Sequence, residues 1–170
     1  DLLCVGGTLG DAAGALPLVL GQRQVADELA APLLARYWAP QPQLALGQVL
    51  RGKATAALDI SDGLLADCGH IAKASGVALH IELQRLPLSP ELLALLDKPA
   101  AQACALSGGD DYRLAFTLPA VHLPALQAAG WPVSVIGRVV VGEGVQLLDE
   151  QGVIITPRVR GYQHFGSLGD

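Results

Sequence analysis

Methionine is absent from the 170 residues. A translated chain normally begins with one, so the expectation is a piece of a longer protein, entered at the strand-like "DLLCV". Charge is scarce at 16%, the net charge is −5, and no Arg/Lys stripe is present, which argues against nucleic acid as a partner. No apolar run reaches the roughly 18 residues needed to span a bilayer, and "PLVLG" is too short for a signal-peptide core. The cysteines Cys4, Cys68 and Cys104 lie far apart without a CxxC pair, which argues against zinc. They read as small buried hydrophobes in a reducing, cytoplasmic setting. No serine sits in a GxSxG elbow and no cysteine has a nearby histidine, so no protein nucleophile is expected.

What is present suits one globular domain: 51% of residues are hydrophobic and the length allows a sizeable core. "DLLCV" reads as a strand and "GGTLGD" as a glycine-rich turn. "AAGALPLVLG" reads as a helix kinked or shortened by Pro17 and closed by Gly21. "VADELAAPLLARYW" is amphipathic, with Pro32 placed to start a second helix. "APQPQ" is a rigid link, "LALGQVLRGK" a short helix, "AALDI" a strand. "DGLLADCGHIAKAS" is a helix stopped by Gly76. "VALHIEL" and "YRLAFTL" alternate as half-buried strands do, and between them "SPELLALLD" has a Ser-Pro helix start. "PAVHLPALQAAG" is a helix; "PVSVIGRVVVG" and "GVQLLDEQGVIITP" are strands joined by short turns, "DEQG" being a hairpin. The expected class is α+β, a mixed sheet covered by helices.

Four stretches could carry chemistry. The first is the strand-to-helix corner "LDISDG". Asp59 or Ser61 there could be ordinary helix caps. Capping explains one carboxylate but not both Asp59 and Asp62, which repel without a cation. Mg²⁺, which takes a few carboxylates, waters and substrate phosphates, would remove the conflict. The second is "LSGGDDY": a solvated turn, or a turn from which Asp110 or Asp111 accepts hydrogen bonds from a substrate amine or amidine. The third, "VGGTLGDAAGAL", lacks the Gly-Lys-Ser/Thr ending of a phosphate loop and reads as a strand-to-helix turn, with backbone contact to a phosphate left open. The fourth is the tail "RGYQHFGSLGD", whose Tyr162, His164 and Phe165 either pack on the body or stack on a flat cationic ring. His70, His80 and His122 stand singly and read as structural.

Taken together, "GTLGDAA", "ARYWAPQPQLALG", "AALDISDGLLADCGHIAKASGV", "LSGGDDYRLAF", "VIGRVVVGEGV" and "GYQHF" resemble the C-terminal half of the thiamine-monophosphate kinase family. "DISDGL" alone is shared with the wider superfamily of aminoimidazole-ribonucleotide synthetase and selenophosphate synthetase. The resemblance implies that residues 1–170 form the C-terminal domain of a homodimeric enzyme whose N-terminal nucleotide-binding domain is missing here. It implies Mg²⁺-dependent transfer of the γ-phosphoryl of ATP directly to thiamine monophosphate. By the same resemblance Asp59 and Asp62 match Mg²⁺ ligands and Ser61 a contact to the nucleotide phosphates. Asp110 matches the acidic residue that binds the thiamine moiety, where Glu is frequent. Phe165, or Tyr162, matches an aromatic that packs on the substrate. Arg113 departs from the frequent Glu and receives no role. Two alternatives remain: a sister ATP-dependent synthetase of the superfamily, or a non-enzymatic interaction or dimerisation domain whose acidic corner is merely a cap.

Overall fold

The computed structural model describes residues 1–155. Its strands are β1 (Leu2–Gly6), β2 (Ala56–Asp59), β3 (Ala78–Glu82), β4 (Leu114–Leu118), β5 (Val133–Val140), β6 (Gly144–Leu148) and β7 (Ile154–Ile155). The helices are α1 (Asp11–Val19), α2 (Asp27–Trp38), α3 (Leu44–Leu50), α4 (Leu64–Ser75), α5 (Pro90–Leu95), α6 (Lys98–Ser107) and α7 (Leu123–Ala128). The strands form one sheet in the order β2-β4-β1-β5-β3-β6-β7. β3 and β6 run parallel, and the other neighbours are antiparallel. The α+β mixed sheet expected from the sequence is what forms.

Both faces carry helices, because strands and helices alike present apolar stripes. On one face Leu64, Cys68 and Ile71 of α4 and Ala105 and Leu106 of α6 pack on Leu3, Val5, Leu79, Ile81 and Ile136. On the other, Leu46 and Leu50 of α3 and Leu126 of α7 pack on Cys4, Phe116 and Leu118. A third cluster joins Ala15 of α1, Leu33 of α2, Leu92 and Leu95 of α5 and Ala101 of α6. Each fully buried leucine in these clusters contributes about 2 kcal/mol of apolar burial.

Several local expectations hold. α1 ends two residues after Pro17, whose missing N–H and ring do not suit a long helix, and Gly21 follows at φ 68°. Gly76 closes α4 in the left-handed conformation. Ser89 caps α5 by accepting the Leu92 N–H, with Pro90 in the first turn. β3 alternates from buried Leu79 and Ile81 to partly exposed His80 and Glu82.

Four details differ from the sequence reading. Pro32 starts no second helix, because α2 runs unbroken through it. The carbonyl it leaves without a donor belongs to exposed Glu28, where water can serve it. β4 is buried on both faces from Ala115 to Leu118, since it lies between β2 and β1 under helices; even Thr117 is buried, paired with the Thr55 hydroxyl at 2.6 Å. α6 escaped the sequence reading, although Asp97 accepts the Ala100 N–H as its cap and Pro99 occupies its first turn. β5 and β6 are joined by a short turn yet are not neighbours, because β3 inserts between them and the turn passes over its end. Gly142 makes that crossing: a Cβ there would stand 3.2 Å from the Ala78 Cβ, at a φ of +137°.

Candidate functional site

The β2–β4 register decides which residues meet. Asp59 pairs with Leu114 at the end of the ladder. The segment leaving β2 therefore runs beside the segment entering β4. The pairing continues past both strands: Ile60 N–H donates to the Arg113 carbonyl at 2.8 Å, Tyr112 N–H to Ile60 at 2.8 Å, and Asp110 N–H to Ser61 at 3.0 Å. Two turns that are far apart in sequence are thus clipped together.

The clip forces unusual backbone. Asp110 and Tyr112 adopt left-handed φ values of 66° and 48°, costly for side-chain-bearing residues and typical of sites whose surroundings hold them there. Gly109 lies so close that a Cβ would overlap the Ser61 carbonyl oxygen. Gly63, at φ 108°, begins α4.

Neither Asp59 nor Ser61 caps α4, which has no side-chain cap. The buried Asp67 of the first helical turn instead accepts the N–H groups of Ser61 and Asp62 at 2.9 and 3.0 Å. Burial raises the Asp67 pKa, and those two donors oppose the rise. Asp67 escaped the sequence reading; an acidic residue in a first turn behind the corner was the available signal. Asp67, and not Asp59 or Ser61, thus holds the corner.

Ser61, Asp62 and Asp110 line one hollow of about 460 Å³, with Gly108, Gly109 and Tyr37. Asp59 is exposed and lines a neighbouring apolar hollow of about 610 Å³ beside Tyr112, Leu44 and Leu114. Tyr112 links the two. Its hydroxyl donates to Asp110 Oδ1 at 3.2 Å, and that bond, then the Asp110 charge, with smaller contributions from Asp59 and Asp62, raises its pKa. Asp110 also lines a third hollow of about 320 Å³ with Thr8, Asp11, Arg36, Asp111 and Arg113. Arg113 lies alongside Gly7 there. Tyr162 and Phe165 lie outside the described residues.

The two adjacent aspartates face opposite ways. Asp110 is exposed, whereas Asp111 is buried and accepts the Gly10 N–H at 2.7 Å. Burial, reinforced by the charge of Asp11, pushes the Asp111 carboxyl up to about 7. A carboxylate from a distant loop thus holds the residue that precedes α1. Asp11 is itself held by the Thr8 hydroxyl at 2.7 Å, by Ser89 and by Arg36 at 3.4 Å.

The oxygen donors of Asp59 and Asp62 suit a hard divalent cation such as Mg²⁺. Among the described residues no group of three or more His, Cys, Asp or Glu could hold a metal ion. Asp59 and Asp62 also line different hollows, so the described residues supply two separate carboxylates here and no complete coordination shell. Burial pushes the Cys4 and Cys68 thiols up to about 12, so both stay protonated at neutral pH.

Comparison with known proteins gives a consistent answer. A thiamine-monophosphate kinase of Salmonella typhimurium is 39% identical over 173 residues, covering 98% of this chain and 53% of that protein. One from Caulobacter vibrioides is 42% identical over 172 residues, covering 96% of this chain and 48% of the other. The crystal structure of the Stenotrophomonas maltophilia K279a thiamine-monophosphate kinase superposes with TM-score 0.80 at 43% identity, over 86% of this chain and 49% of that one. AaThiL complexed with AMPPCP and TMP superposes with TM-score 0.81 at 35% identity, over 97% and 51%. The chain spans about half the length of the curated relatives it matches. Residues 1–150 match the family described as AIR synthase related protein, C-terminal domain, a span that takes in both clipped turns, and the chain belongs to that family.

Proposed function

We propose that residues 1–170 are the C-terminal, substrate-binding domain of a cytoplasmic, homodimeric thiamine-monophosphate kinase that works with an N-terminal nucleotide-binding domain. The observation that carries this reading is the clip between the two turns, which gathers Ser61, Asp62 and Asp110 around one hollow. In this reading an oxygen of the thiamine monophosphate phosphate attacks the γ-phosphorus of ATP. The bond to the bridging oxygen breaks, and its electron pair leaves with ADP. Such a transfer needs positioning and charge neutralisation more than a protein nucleophile.

Asp59 and Asp62 would hold Mg²⁺, which neutralises phosphate charge when bound. Ser61, which lines the hollow, would contact the nucleotide phosphates. Asp110 would accept hydrogen bonds from the thiamine moiety, its strained backbone keeping the carboxylate at the rim of the hollow. Phe165, or Tyr162, would pack on the substrate. Residues 1–170 alone are expected to show no kinase turnover, because in this reading the remaining metal ligands and most nucleotide contacts come from the N-terminal domain.

The test is ADP release by the full-length protein with thiamine monophosphate, ATP and Mg²⁺. Turnover is expected, and Asp59→Asn should lower it by orders of magnitude with the fold intact. Unchanged turnover in Asp59→Asn would show that the corner holds no essential cation.

A further inference from the structure

The 460 Å³ hollow has an aromatic lining residue to which the sequence reading assigned no role. Tyr37, near the end of α2, lines it together with Ala12, Ala13 and Leu16 of α1. The same hollow carries two carboxylates, Asp62 and Asp110. The Tyr37 ring is held in place from behind: it packs against the cluster of Leu33, Leu92 and Leu95. It also meets Trp38 edge-on, with ring centroids 4.9 Å apart and planes at 89°. Aromatics make up only 4% of the chain, so a ring fixed at the rim of this hollow calls for a reason beyond filling a core.

An aromatic ring and carboxylates in one hollow suit a flat cation, which gains from the ring's quadrupole and from the negative charge together. The volume lies within the range of small-molecule sites. Resting on the kinase reading above, we propose that Tyr37 is a substrate-binding residue. Its ring stacks on the positively charged heteroaromatic ring of the phosphate ester, Asp110 holds that ring's far side, and the ester phosphate extends towards Asp62. Gly108 and Gly109, which also line the hollow, have no room for a side chain: a Cβ at Gly108 would overlap Ala13, and one at Gly109 the Ser61 carbonyl.

The test uses the full-length protein with Tyr37→Leu and Tyr37→Phe, varying thiamine monophosphate and ATP separately. Tyr37→Leu keeps apolar bulk but loses the ring, and should raise KM for thiamine monophosphate about tenfold while KM for ATP changes less than about twofold. Tyr37→Phe should restore the parent value. An unchanged KM for thiamine monophosphate in Tyr37→Leu, or an equal rise for both substrates, overturns the assignment alone. Absence of thiamine-monophosphate turnover in the parent overturns the kinase reading and this assignment with it. Should Tyr37→Leu not fold, Tyr37→Trp serves. Saturable quenching of indole fluorescence by thiamine monophosphate, larger than in the parent, supports the contact, and equal quenching in both rejects it.

Discussion

Replacing Asp111 by Asn should make the protein more stable at neutral pH, and the gain should grow with pH. The carboxyl is 8% exposed and titrates near 7 in the folded chain, against 3.8 for an unperturbed side chain. A raised folded pKa means that the folded state holds the proton more tightly than the unfolded one. Between pH 4 and 7 the unfolded chain has lost that proton while the folded chain keeps it, so stability falls as pH rises. The slope is about 1.4 kcal/mol per pH unit, and the whole loss is about 4 kcal/mol once both states are ionised. Asn keeps an oxygen for the Gly10 N–H and has no proton to lose. Parent and Asp111→Asn should therefore differ little at pH 4 and by about 4 kcal/mol at pH 8. Urea unfolding, followed by far-UV circular dichroism at intervals across that range, reads the difference directly. Parallel curves for the two proteins would mean that Asp111 ionises normally, and the burial argument would be wrong.

Two helix caps offer a controlled comparison. Ser89 is 1% exposed and both caps α5 and donates to Asp11, whereas Asp97 caps α6 at the surface. Asp97→Ala should cost about 1 kcal/mol, while Ser89→Ala should cost about 3 kcal/mol because a buried carboxylate also loses a donor; equal costs in urea titrations would deny the Asp11 contribution. Gly109→Ala should force the two clipped turns apart, lowering the thermal midpoint and, in the full-length protein, weakening thiamine monophosphate more than ATP. An unchanged midpoint would show that the clip is loose.

Most elements were legible because their signals are local. The Ser-Pro start of α5, the glycine after α4 and the alternation in β3 each follow from a few consecutive residues. Where the reading failed, the deciding contact was distant. Pro32 suits a helix start, yet α2 packs on α1 and α5 through Leu33, and the burial of that stripe outweighs one absent hydrogen bond. β4 alternates in sequence, but strands on both sides and helices above and below bury all of its middle. β3 enters between β5 and β6 from far upstream, a pairing that a three-residue turn between those strands would not suggest.

The site follows the same division. Its candidate residues stand out in "DISDG" and "SGGDDY", because clustered carboxylates and glycines are unusual however the chain folds. What joins them was not readable, since β2 and β4 lie more than fifty residues apart and pair only in the folded sheet. Antiparallel pairing is what makes the join unavoidable: with Asp59 opposite Leu114, whatever leaves β2 must run beside whatever enters β4. Asp110 and Asp111 then diverge because one peptide of left-handed backbone turns the first carboxylate outward while the second is drawn in by the Gly10 N–H. Exchanging their roles would need both the clip and the hydrogen bond from Gly10 to break. The outward position of Asp110 is therefore secured by the same hydrogen bonds that hold Ser61 beside it.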